Sequence, residues 1–216
     1  KEFLKSMGLG LSALLCAGSG HASSREAEEG CKSVEGTIFK GDAPASLWKW
    51  AREAFDYASD GEKVQCSICP NRCVLRPGDR SVCRSRINHQ GRLISLVYGN
   101  PCAVHVDPVE KKPLFHFYPG SYAYSISTVG CNLRCSFCQN WQISQISGKT
   151  EVSIPGNNLP PGQVLQEARR YGCSSISYTY TEPTIFFEYA YDTAKLVKDA
   201  GLYNVFVTNG FMTRQA

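Results

Sequence analysis

Cys131-Asn132-Leu133-Arg134-Cys135-Ser136-Phe137-Cys138 puts three thiols into a C-x3-C-x2-C loop, with an aromatic residue just before the last. Thiolates are soft ligands, and so tight a run selects an iron–sulfur cluster or zinc. A cubane cluster has about four irons, so three cysteines leave one iron free to bind a cofactor or substrate. A structural zinc site is closed by a fourth residue. Cys131 to Asn140 offers no further Cys or His for that purpose. Zinc completed by a distant fourth ligand is the competing reading.

A second set, Cys66-x2-Cys69-x3-Cys73-x9-Cys83, runs through Pro70, Pro77 and Gly78. So loop-rich a stretch has little core of its own and needs a staple. The leading C-x2-C pair followed by a wider-spaced pair suits zinc. A second iron–sulfur cluster, or thiols holding no metal, are the other two readings. Of 11 cysteines, those in the two tight sets point to metal binding rather than to a disulfide framework. Cys16, Cys31, Cys102 and Cys173 read as ordinary thiols or small core residues.

The elements that must position these thiols are legible mainly after Ser121. Tyr122–Val129 is a β-rich run leading into the cysteine loop, and Pro161-Gly162 opens a helix through Gln163–Tyr171, stopped by Gly172. Ser174–Tyr180 predicts a second strand, Ile185–Ala200 a second helix closed by Gly201, and Tyr203–Val207 a third strand. This alternation predicts an α/β fold with a parallel sheet and right-handed crossovers, a partial TIM-type barrel. Chemistry in such barrels collects at the C-terminal strand ends. The cysteine loop, Thr179–Pro183 and Thr208–Phe211 all fall there. Three βα units do not close a barrel, so the C-terminal part of the domain is expected to lie beyond Ala216.

Upstream, 46–120 reads as an N-terminal helix plus the Cys-rich module, and 121–216 as the partial barrel. Ser46 caps an expected amphipathic helix with Leu47, Trp50, Ala51, Ala54, Phe55 and Ala58 on one face. Arg92–Tyr98 and Cys102–Val106 read as short strands. Residues 23–45 are polar and small, as in a linker. Residues 1–22 resemble a targeting segment, with the apolar run Met7–Ala17 and a cleavage-like Gly20-His21-Ala22. Glu2-Phe3-Leu4-Lys5 is similar to the second half of a twin-arginine signal. The apolar run is too short to span a bilayer. A net charge of +4, not concentrated in one run, gives no reason to expect nucleic acid. His116, between two phenylalanines, and His105 read as packing residues.

Cys131–Cys138 resembles the cluster loop of the radical SAM superfamily. The resemblance implies a [4Fe-4S] cluster held by Cys131, Cys135 and Cys138. It also implies S-adenosylmethionine on the open iron, and an electron donor of the flavodoxin or ferredoxin kind. Reductive cleavage then yields a 5′-deoxyadenosyl radical that abstracts hydrogen from a protein or small-molecule substrate. A cytoplasmic site suits that chemistry better than export.

Tyr180-Thr181-Glu182-Pro183 is similar to the Gly-Gly-Glu-Pro segment that contacts the amino group of S-adenosylmethionine, with Tyr180 and Thr181 replacing the glycines. Thr208-Asn209-Gly210 resembles the cofactor-proximal strand end of glycyl-radical-enzyme activases, although Val207 stands where those enzymes often carry aspartate. Gln139, Asn140 and Trp141 are expected to pack around the cluster.

The Cys66–Cys83 module and the Lys111-Lys112-Pro113-Leu114-Phe115-His116-Phe117 connector extend the likeness. They resemble pyruvate formate-lyase-activating-enzyme-like proteins, and more closely the radical SAM enzyme of the AmmeMemoRadiSam system. The opposed function class is a non-catalytic interaction module with zinc at both cysteine sets. An electron carrier is disfavoured, because carriers give each cluster a complete ligand set.

Overall fold

The computed structural model describes the backbone of 32–35 and, with side chains, 51–146, Ile154 and 156–216. The expected targeting segment, most of the linker and the start of the expected helix lie outside the described residues.

The C-terminal sheet positions the cysteine loop. Its order is β11-β10-β9-β8, with β8 at Ala103–Pro108, β9 at Tyr122–Ser127, β10 at Ser175–Tyr178 and β11 at Tyr203–Phe206. β9, β10 and β11 are parallel and in register, Ile126 opposite Tyr178 and Tyr178 opposite Phe206. Their C-terminal ends therefore meet along one edge. β9 and β10 are buried along almost their whole length, as strands covered on both faces are, through a mixture of Ala, Ile, Ser and Tyr side chains. The helix α2 (Pro161–Arg170) starts on a proline with its φ preset and ends on Arg169 and Arg170 at the negative end of its dipole. Gly172, at φ +65°, turns the chain out of it. Pro183–Phe186 form a 3-10 turn that leads into the helix α3 (Phe187–Asp199). Ile126, Val129, Val164, Ala168, Ile176, Tyr178, Phe186, Tyr189 and Val197 fill the core between sheet and helices.

Among the described residues this four-stranded sheet is open and mixed rather than a closed barrel. β8 joins β9 antiparallel, Ala103 opposite Ser127 and Pro108 opposite Tyr122. The connector 109–121 makes this reversal possible, and Val109 N donates to Ser121 O across its neck. This pairing crosses the expected boundary between 120 and 121.

Two antiparallel sheets carry the other cysteines. One orders β1 (Lys32–Glu35), β3 (Asp56–Ser59), β4 (Val64–Cys66) and β5 (Val74–Leu75). The other orders β2 (Arg52–Glu53), β7 (Arg92–Ser95) and β6 (Arg86–His89). The helix expected through Ala58 is corrected here, because Arg52–Glu53 and Asp56–Ser59 are the strands β2 and β3. Glu53 pairs with Ile94, Ala54 N donates to Leu93 O, and Tyr57 pairs with Cys66. The apolar spacing over so short a run suits either element, and cross-strand burial of Ala54 and Tyr57 decides it.

Arg86 and Glu188 tie the antiparallel strands to α3. Both side chains are fully buried, and the guanidinium meets the carboxylate bidentately at 2.7 and 2.9 Å. Glu188 Oε1 also accepts from Phe55 N at 2.8 Å.

Candidate cofactor site

A cavity of about 690 Å3 opens at the C-terminal ends of β9, β10 and β11. Cys131 and Cys138 line one side, with Gln139, Asn140, Ile143 and Ser144 of the following turn. Thr179, Tyr180, Thr181 and Glu182 form the floor, and Val207, Thr208 and Asn209 close the far end. His105, Lys111 and Lys112 line the wall opposite. Pro183 faces a neighbouring apolar pocket, and neither cavity is lined by Gly210.

The cysteine loop is held by its own turn. Gly130 N donates to Ile143 O, at the short helix α1 (Trp141–Ser144). Gln145 Nε2 donates to Cys135 O at 2.9 Å, and Cys138 Sγ lies 3.2 Å from Ser144 Oγ. Asn140 Nδ2 reaches Tyr180 O at 2.9 Å, joining the loop to the end of β10. Burial raises the Cys131 pKa, opposed by the Leu133 and Glu182 amides, which favour the thiolate. All three cysteines are half-buried, while Phe137 between them is 88% exposed. Cys131 and Cys138 line the cavity and Cys135 does not, and three part-exposed thiols in one short loop suit a thiolate-held cluster.

Glu182 is a clamp between two strand ends. Its Oε1 accepts from Thr184 N at 3.1 Å, Thr184 Oγ1 at 2.6 Å and Thr208 Oγ1 at 2.7 Å. Among the described residues its Oε2 accepts from Asn209 N alone, at 2.7 Å. A carboxylate oxygen has two lone pairs, so Oε2 keeps one for a donor in the cavity. The residue both caps the 3-10 turn and lines the cavity.

Asp107, Lys112 and Asn132 were not singled out by sequence reasoning. Asp107 is buried and accepts from Lys111 Nζ, Lys112 Nζ, Ser125 Oγ and Tyr180 OH. Burial pushes its pKa up, but the donors from Lys111, Lys112, Tyr180 and Ser125 together hold it well below the usual carboxylate range. Burial pulls the Lys112 ammonium down, and Asp107 only partly offsets it. The two directions differ because Asp107 collects four donors and Lys112 has one anion.

Tyr180 has φ +65°, a conformation a non-glycine residue keeps only when its surroundings enforce it. Its ring lies under Lys112 Nζ at 4.9 Å and edge-on to His105 at 5.6 Å. The glycine that the resembled motif has at this place is the available signal for that strain. Asn132 bridges the loops, its Nδ2 donating to Phe211 O and its Oδ1 accepting from Asn209 Nδ2.

Residues 125–216 match the radical SAM superfamily. The matched segment begins within β9 and contains the cysteine loop, Glu182 and Thr208–Gly210. The chain is also 44% identical over 165 residues to the uncharacterized protein MJ0808 of Methanocaldococcus jannaschii, covering 76% of this chain and 49% of that one. A second uncharacterized protein of the same organism, MJ0674, is 28% identical over 123 residues, covering 55% of this chain and 31% of that one. The chain thus spans half or less of the length of these curated relatives. No solved structure matches it. No helix among the described residues is long and apolar enough to cross a membrane.

Proposed function

We propose that this protein is a radical SAM enzyme that holds a [4Fe-4S] cluster with Cys131, Cys135 and Cys138. The observation that carries the reading is one cavity bounded by the cysteine loop, the Glu182 turn and the Thr208-Asn209 strand end. These are the three segments that the superfamily match contains. When bound, the reduced cluster and S-adenosylmethionine supply sulfonium cleavage and hydrogen-atom abstraction by the 5′-deoxyadenosyl group.

The chain's own residues bind and orient. Glu182 Oε2 offers the free lone pair for the cofactor's ammonium, a charge-assisted bond in a buried setting. Thr208 and Asn209 are fixed to the same carboxylate, so the β10 and β11 ends form one rigid rim. Tyr180, Lys112 and His105 contribute a pinned aromatic and cationic part of the same cavity lining. The likeness of Thr208-Asn209-Gly210 to activases supports a protein segment as substrate, and a flavodoxin- or ferredoxin-like donor would supply the electron. The zinc-module alternative is not favoured, because it leaves the superfamily match unexplained.

The test is anaerobic reconstitution with iron and sulfide, reduction, addition of S-adenosylmethionine and assay of 5′-deoxyadenosine. Product from wild type and none from Cys135→Ala, whose cluster absorption is also lost, is the expected result. Zinc in place of iron at Cys131–Cys138, with no product, would sink the proposal.

A further inference from the structure

Four cysteines sit on neighbouring strand ends and turns of the two antiparallel sheets, beside the cysteine loop. Cys66 ends β4, Cys69 and Cys73 lie in the turn into β5, and Cys83 precedes β6. Cys83 is within electrostatic reach of Cys66, Cys69 and Cys73. Backbone N–H groups of Ile68, Asn71 and Val82 face the sulfurs of Cys66, Cys69 and Cys73. Ser81 Oγ stands 3.0 Å from Cys83 Sγ. Donors aimed at sulfur are the outer shell that orients thiolate ligands.

Arg86 supplies an independent observation. Its two terminal nitrogens go to Glu188, and its buried Nε has no hydrogen-bond partner among the described residues. The same guanidinium is within electrostatic reach of Cys66 and Cys83. Four thiolates on a divalent ion carry net negative charge, which gives this orphaned cationic donor an acceptor.

We propose that Cys66, Cys69, Cys73 and Cys83 hold one structural zinc ion, and that this zinc module keeps the Cys131–Cys138 loop in place. Four protein thiolates close a tetrahedral site and leave no position for substrate. The strands around it are two to four residues long, and their core is small, so a staple is what the segment lacks. Among the described residues no three His, Cys, Asp or Glu side chains are gathered tightly enough for a single ion. Zinc binding here therefore requires the four side chains to turn inward about χ1.

The positioning follows from contacts along the seam. Asn71 Nδ2, between Cys69 and Cys73, donates to Asn132 O at 3.0 Å. Ser85 Oγ donates to Val129 O at 3.2 Å. Thr213 donates from N to Ile68 O at 3.1 Å and from Oγ1 to Ser67 O at 2.8 Å, so the Cys66–Cys69 turn also anchors the chain after Thr208–Gly210. What the zinc positions rests on the proposed radical SAM function; the zinc itself does not.

The experiment measures zinc, iron and sulfide in the full protein and in its Cys131→Ala/Cys135→Ala/Cys138→Ala variant. About one zinc per chain in both, with iron gone from the variant, is the expected result. The Cys69→Ser/Cys83→Ser variant should hold less than about a tenth of that zinc and form 5′-deoxyadenosine about tenfold more slowly after cluster reconstitution. If that variant does not fold, cobalt(II) loading of the Cys131/Cys135/Cys138 variant decides, through thiolate-to-cobalt charge-transfer absorption. Iron and sulfide retained by that variant, or neither zinc nor a cobalt–thiolate band, overturns the proposal. Failure of the wild type to cleave S-adenosylmethionine would leave the zinc result standing and so reports only on the enzyme reading.

Discussion

At the residue scale, the free lone pair on Glu182 Oε2 makes a quantitative demand. Replacing Glu182 with Gln removes a charge-assisted acceptor that is worth about 1.5–3 kcal/mol. S-adenosylmethionine should bind the reconstituted Glu182→Gln variant roughly 10- to 100-fold more weakly, read by calorimetry. Unchanged affinity would mean that the carboxylate serves only as the clamp on Thr208 and Asn209.

Asp107 gives a pH signature. Its native pKa lies below the ordinary value of 3.8, so its stabilisation is fully present above that value. It is lost as pH falls through the depressed native value. The difference in urea midpoint between wild type and Asp107→Asn should therefore be constant from about pH 7 to 5 and shrink toward pH 2. A pH-independent difference would show that the ion pair with Lys111 and Lys112 is not its source. The cysteine loop stood out by residue type and spacing, while Glu182 and Thr208 were marked only by the resemblance of their segments; Cys131, Cys138, Glu182 and Thr208 all line one cavity. Asp107 and Asn132 were not, since only the antiparallel pairing of β8 and the packing of the loops bring them to the cavity-lining residues they hold, Lys112 and Tyr180 for the one and Asn209 for the other.

At the scale of elements, a single buried ion pair joins β6 to α3. Arg86→Met leaves Glu188 buried and charged, and it should cost about 3–5 kcal/mol in urea unfolding. Arg86→Met/Glu188→Leu should recover much of that loss, because neither charge then remains unpaired. A double variant no better than the single one would place the cost in packing.

The parallel order β9-β10-β11 was readable from strand–helix alternation, whose apolar runs and Gly stops are local signals. The stretch around Ala54 was misread as helix because its partners, Leu93 and Cys66, are distant in sequence. Periodicity over a few apolar residues carries no information about which strand waits to pair with them.

At the scale of the whole described unit, the antiparallel strands and the cysteine loop meet with no space to spare. Gly130 has φ +99°, and a Cβ there would lie 2.2 Å from Cys83 O and 2.7 Å from Ser85 Oγ. Gly130→Ala should lower stability by about 2 kcal/mol or more and reduce iron incorporation at Cys131–Cys138. Normal iron content with a lowered melting temperature would separate the fold of the loop from its ligand geometry.

The Arg86–Glu188 pair also bears on how this chain can be taken apart. A fragment begun at residue 121 to isolate the superfamily segment would strip α3 of Arg86 and of the Phe55 amide, and β9 of its β8 neighbour. It would carry a carboxylate stranded in a hydrophobic wall and an unpaired strand edge, a recipe for inclusion bodies. The smallest soluble piece worth expressing therefore starts ahead of β2, and the two halves should travel together in any chimera or domain transplant.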